Sequence, residues 1–172
     1  MPSGSPTSVR TARCLCGEVE IELAGAPILA ATCHCEDCQA GSQMIEALPG
    51  SPTVLDAAAG TAYVHYRKDR VRILRGADRL RALKLKPTSP TNRMVTTCCN
   101  SAMLVTFDNA LHWNPVYRGR LGADAPPVEM RVNTRFVPAG TTVPDDVPSY
   151  RGFPFSFVWR LLKARLAMAL GR

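Results

Sequence analysis

CLCGEVEIEL, residues 14–23, holds two cysteines one residue apart, a glycine, and then an unbroken alternation of acidic and apolar residues. A period of two places Val19, Ile21 and Leu23 on one face and Glu18, Glu20 and Glu22 on the other, the pattern of a half-buried β-strand. A strand that opens on a Cys-x-Cys-Gly element points to a β protein organised around its cysteines.

Working outward, Gly25 and Pro27 end this strand, and residues 28–32 run into a second cysteine cluster, Cys33-His34-Cys35-Glu36-Asp37-Cys38. Residues 49–60 read as a loop with a short strand at Val54 and Leu55. Residues 63–66, 71–74 and 80–85, with a turn at Gly76, read as an antiparallel meander. After a turn-rich break at 87–92, Met94 to Thr97 leads into Cys98-Cys99 and a strand over 102–107. One further strand is expected within 126–136. The last segment, residues 155–170, lacks proline, and Phe155, Val158, Leu162, Leu166 and Ala169 recur at helical spacing. This predicts an amphipathic helix whose stripe packs on the β core, the other reading being a helix that lies on a membrane surface or docks a partner. The expected organisation is a flexible lead-in over 1–12, a zinc-binding β domain over 13–137, and a proline-rich linker with the C-terminal helix over 138–172.

Composition agrees with a mainly β, soluble protein. Fourteen prolines and twelve glycines in 172 residues imply many turns, and 46% hydrophobic content excludes a largely disordered chain. The opening residues lack the apolar run of a secretory signal, and the most apolar segment is interrupted by Arg160, Lys163 and Arg165, so a cytoplasmic protein without a transmembrane span is expected. The net charge of +7 is concentrated between Arg67 and Arg93, where ten lysines and arginines face only Asp69 and Asp78. Such a segment suits an anionic partner or small molecule, but a solvated strand face explains it as well, and without interleaved aromatics nucleic acid is not expected.

In a reducing compartment, seven clustered cysteines are metal ligands or reactive thiols more readily than a disulfide framework. A vicinal disulfide at Cys98-Cys99 would be strained. Cys33, Cys35 and Cys38 can wrap one ion and leave a fourth tetrahedral position open, the arrangement of a catalytic zinc site. His34 should point away from its neighbours. Glu36 and Asp37 read as solvated acids at a loop tip, or else as acceptors behind the metal ligands or a general base near the open position. Cys14 and Cys16, with Cys98 and Cys99, can make a second and closed site of structural type.

The elements Cys14-Leu15-Cys16-Gly17-Glu18-Val19, Cys33-His34-Cys35-Glu36-Asp37-Cys38 and Cys99-Asn100-Ser101 together resemble the glutathione-dependent formaldehyde-activating (GFA) enzymes and their centromere-protein-V-like relatives. The resemblance implies an Mss4-like zinc-binding β fold of antiparallel sheets. It also implies a structural ion at the first and last elements, and a catalytic ion held by Cys33, Cys35 and Cys38. The implied activity is that of a carbon-sulfur lyase acting on a small thiol adduct such as a glutathione–aldehyde conjugate. Two departures mark a divergent branch: Thr96 stands where the family places a cysteine, and Asn100 replaces a glycine. Cys98 can supply the missing ligand only if the turn bends sharply, because adjacent strand residues point to opposite sides; Cys14, Cys16 and Cys99 are the firmer candidates. The competing expectation is a non-catalytic zinc module that engages a partner or an anionic surface through the basic segment and the C-terminal helix.

Overall fold

In the computed structural model, which describes residues 8–171, the protein is mainly β, with antiparallel sheets and a C-terminal helix. The chain runs β1 (Val9–Arg13), β2 (Glu20–Ala24), β3 (Leu29–Cys33), α1 (Glu36–Glu46), β4 (Thr61–Arg67), β5 (Val71–Arg75), β6 (Leu80–Leu83), β7 (Thr91–Thr96), β8 (Ala102–Phe107), β9 (Trp113–Tyr117), β10 (Met130–Val132) and α2 (Phe155–Ala169). Strands β1-β2-β5 form a small sheet, and β10-β3-β4-β9-β8-β7-β6 a large one. Among the strand pairs of the described residues, only β10–β3 is parallel.

The alternation that opened the reading is realised in full. Val19, Ile21 and Leu23 are completely buried and meet Ala30, Val64, Tyr66, Met103 and Val116 of the large sheet. Glu20 and Glu22 face outward and pair with Arg13, Arg75 and Arg72. The opposite face of the large sheet carries a second core, in which Leu29, Ala31, Tyr63 and Val105 pack with Ile45 of α1 and Phe157 and Leu161 of α2. Strand β3 is therefore buried on both sides, with alternate residues feeding the two cores.

Several expectations are corrected. The lead-in includes β1, which pairs along its length with β2; residues 1–7 lie outside the described residues. The meander is not formed: β5 leaves β4 to pair with β2, and β6 returns to pair with β7. Gly76, at φ +73°, makes the reversal between them, and a side chain there would meet the Glu18 carbonyl oxygen at 2.6 Å. The segment drawn as a linker lies against β10, where Arg131 pairs with Asp146 and bridges Ser149. The helix α2 forms where its period predicts, but with the other face inward. Phe157 and Leu161 are buried, while Phe155 is 79% and Leu166 60% exposed, with Val158 and Leu162 exposed between them.

Half of the basic segment's cations are paired locally. Arg67, Arg72, Arg75, Arg79 and Lys84 each pair with a carboxylate, and Arg93 is buried. It is the solvated strand face, with one exception that matters below. Among the described residues no helix is long and apolar enough to cross a membrane.

Candidate metal centres

Cys14 leaves β1 and turns back at once. The Gly17 N–H donates to the Cys14 carbonyl at 3.1 Å, Gly17 adopts φ +80°, and the Val19 N–H donates to Cys14 Sγ at 3.2 Å. A similar turn follows β7: the Asn100 N–H donates to the Thr96 carbonyl at 3.1 Å, and Asn100 holds φ +52°. Asparagine is the residue besides glycine that enters this left-handed region most readily, so Asn100 suits the turn. The Leu15 N–H donates to Ser101 Oγ at 3.0 Å and ties the two turns together.

Between them Cys14, Cys16, Cys98 and Cys99 converge, their sulfurs all within 4.8 Å of one another. The separations are 3.6 Å for Cys14–Cys16, 4.0 Å for Cys14–Cys98 and 3.9 Å for Cys98–Cys99. A tetrahedron of sulfurs around zinc at its usual bond length has an edge of about 3.8 Å, so the donor set fits that ion. The turn bends sharply enough to bring both adjacent cysteines in. Thr96 sets its Oγ1 at 3.4 Å from Cys99 Sγ and accepts the Ser101 N–H. Burial opposes ionisation of Cys99, but the Ser101 and Thr96 hydroxyls overcome it and bring its pKa to about 5. At Cys16 the Glu18 N–H favours the thiolate, yet Cys98 and the other neighbouring sulfurs push the pKa up to about 12. Sulfurs this close resist sharing negative charge without a cation among them.

The second group differs in kind. Cys33 ends β3, Cys35 is the N-cap of α1, and Cys38 lies in its first turn. The three sulfurs lie within 4.8 Å of one another, and no fourth His, Cys, Asp or Glu joins them among the described residues. Asn133, buried in a left-handed conformation, donates its Nδ2 to Cys33 Sγ at 3.4 Å, and the Tyr63 hydroxyl reaches Cys38 Sγ at 3.9 Å. Cys35 has its pKa lowered to about 3 by the Cys33 and Cys38 thiols, helped by the N–H groups of Cys38 and Asp37, against its burial. Cys33 is pushed up to about 11, chiefly by Cys35, and Cys38 well above the usual thiol range by Cys33 and Cys35. All three cysteines line a cavity of about 280 Å³, walled by Phe107, Trp113, Phe153 and Phe157 and by the polar Tyr63, His65 and Arg93.

His34 is fully buried outside both groups, with Nδ1 3.1 Å from the Ala58 carbonyl oxygen. Glu36 and Asp37 are not at a loop tip; they occupy the first turn of α1, exposed, and Asp37 borders the cavity. Residue-type reasoning passed over Tyr63, Arg93, Trp113, Asn133 and Phe157. Arg93 was visible only as one more charge in a basic run, and the others carried no signal of their own.

A sequence-family profile described as "Family of unknown function (DUF6151)" matches residues 7–117, a span that includes all seven cysteines. No curated protein matches the chain significantly. Among solved structures, the crystal structure of a Rhodobacter sphaeroides protein from a structural genomics programme aligns at 16% identity. It covers 81% of this chain and 98% of its own, with a TM-score of 0.48.

Proposed function

This chain belongs to the family of unknown function DUF6151, and from that premise we propose that it is a zinc-dependent enzyme of carbon-sulfur bond chemistry, its closed tetracysteine site structural and its open triad catalytic. The observation that carries the reading is the contrast between the two groups: four sulfurs that exhaust a tetrahedron, and three that leave one position facing a cavity. The resemblance to the glutathione-dependent formaldehyde-activating enzymes supports the choice of chemistry.

When bound by Cys33, Cys35 and Cys38, zinc supplies a Lewis acid and a counter-charge for a substrate thiolate. The chain's own residues do the rest. Asn133 and Tyr63 donate to two of the three sulfurs and hold the triad in place, as supporting hydrogen bonds do around metal ligands. The aromatic wall excludes water from the bond that breaks. For a 1-hydroxyalkyl thioether, a hemithioacetal, the reaction balances without a redox partner: the carbon–sulfur bond breaks, the aldehyde carbonyl forms on the same carbon, and the hydroxyl proton passes to the departing thiolate. Exchange NMR between a thiol, an aldehyde and their adduct tests this. Zinc-loaded protein is expected to accelerate the exchange for at least one thiol–aldehyde pair; no acceleration beyond that of free zinc contradicts the reading.

A second reading concerns α2 and is compatible with the first. Phe155, Val158, Trp159, Leu162 and Leu166 form an exposed apolar stripe, flanked by Lys163 on one side and Arg165 on the other, and the helix carries no acidic residue. This is the pattern of a helix that lies in an anionic membrane interface. A second copy of a +7 chain would bring like charge to the same face. The protein should therefore co-sediment with phosphatidylcholine vesicles only when they contain phosphatidylglycerol, less so as salt rises, and Leu162→Asp should abolish it. A dimer that Leu162→Asp dissociates, with no vesicle binding, would assign the stripe to self-association instead.

A further inference from the structure

Arg93 stands apart from the other arginines of its segment. It is 4% exposed, it borders the triad's cavity, and it joins none of the ion pairs among the described residues. Its Nη2 donates to the Asp37 backbone carbonyl at 2.5 Å, while Nε and Nη1 are buried without a partner among the described residues. The place is prepared for it. Arg93 lies across α1 at Gly41, where a Cβ would collide with the guanidinium, so the helix surface is left bare to admit the side chain. Burying a cation with two donors unmet is strongly unfavourable, and an anion in the neighbouring cavity would offset part of that cost.

The rest of the wall states the size and character of what arrives. Ala31, Val105, Phe107, Trp113, Phe153 and Phe157 give it an apolar, largely aromatic lining, in a volume of about 280 Å³. Arg93 is its one arginine or lysine. His65 is also there, but burial lowers its pKa to about 4, so it is neutral at pH 7 and adds no charge. Asp37 is the one carboxylate of the lining, so Arg93 alone offers charge to an anion.

We propose that the cavity binds a small thiol, or thiol adduct, that bears a single carboxylate and an apolar body, the carboxylate received by Arg93 and the sulfur directed to the triad. The proposal rests on the reading of the triad as the catalytic site, and it narrows the substrate class. Glutathione, with two carboxylates and an ammonium, would leave one carboxylate facing an apolar wall and is disfavoured.

The test uses zinc-loaded full-length protein carrying Trp159→Phe, which leaves Trp113 in the cavity wall as its single tryptophan reporter. Three probes are titrated by fluorescence: 4-(mercaptomethyl)benzoate, 4-methylbenzoate, which lacks the sulfur, and 4-(mercaptomethyl)benzamide, which lacks the charge. The benzoate thiol is expected to bind on the order of 10- to 100-fold more tightly than the benzamide thiol. Arg93→Gln should erase that difference, and Arg93→Lys should restore part of it. Equal affinity for the charged and neutral thiols in the parent protein overturns the proposal, whether or not the Arg93 variants fold. Failure of the underlying reading has a separate signature: 4-methylbenzoate would then bind as tightly as its thiol counterpart while the preference for carboxylate over carboxamide remained.

Discussion

Cys14→Ser is expected to destabilise the protein by at least about 3 kcal/mol, read as a lower urea midpoint in zinc-containing buffer. Three facts combine at this residue. Cys14 belongs to the closed sulfur tetrad, it is buried in the core between the two sheets, and its sulfur accepts the Val19 N–H at the start of the alternation that defines β2. Structural zinc contributes an apparent ~10–16 kcal/mol to the folding of small zinc fingers. This domain also has two apolar cores, so only part of that scale is at stake, but several kcal/mol is a large share of a typical domain's stability of about 5–15 kcal/mol. A midpoint unchanged within error would mean that the tetrad does not hold the fold together.

Cys35→Ser is expected to do the opposite: remove the central ion and with it turnover, while leaving the thermal midpoint within a few degrees of the parent. Position 35 is the N-cap of α1, where the Asp37 and Cys38 N–H groups favour its thiolate but its sulfur completes no capping hydrogen bond. Serine is a preferred N-cap residue, so the helix should keep or improve its start. The two variants thus separate the roles of the sites, one governing stability and the other chemistry. If Cys35→Ser retained full turnover, the triad would not be the catalytic centre; if it unfolded the protein, the triad would be structural like the tetrad.

How much of this was legible in the sequence depended on whether a signal was local. The strand at 18–23 was, because alternation with buried Val19, Ile21 and Leu23 needs only a period of two. Strand β9 was not: Pro115 sits in its middle, opposite His65 on β4, where proline normally argues against a central strand. Helix α1 was hidden for a different reason. It buries Gly41, Ser42 and Ile45, so close approach of its backbone takes the place of an apolar stripe. For α2 the period was right and the face was wrong, since two buried residues, Phe157 and Leu161, outweigh a longer stripe that stays in solvent.

The same distinction holds at the sites. Cysteines announce a metal by type and spacing, and all seven converge into two groups. Arg93 from β7, Tyr63 from β4, Asn133 beyond β10 and Phe157 from α2 meet only because the large sheet brings four distant segments to one cavity or to the triad beside it. No local pattern marks them.

The most direct test is zinc per chain, by elemental analysis of the untagged protein and of a variant with Cys33→Ser, Cys35→Ser and Cys38→Ser together. The account predicts about two ions falling to about one, with the variant still folded on its tetrad. About one ion in both proteins would leave the triad without metal and contradict the central claim.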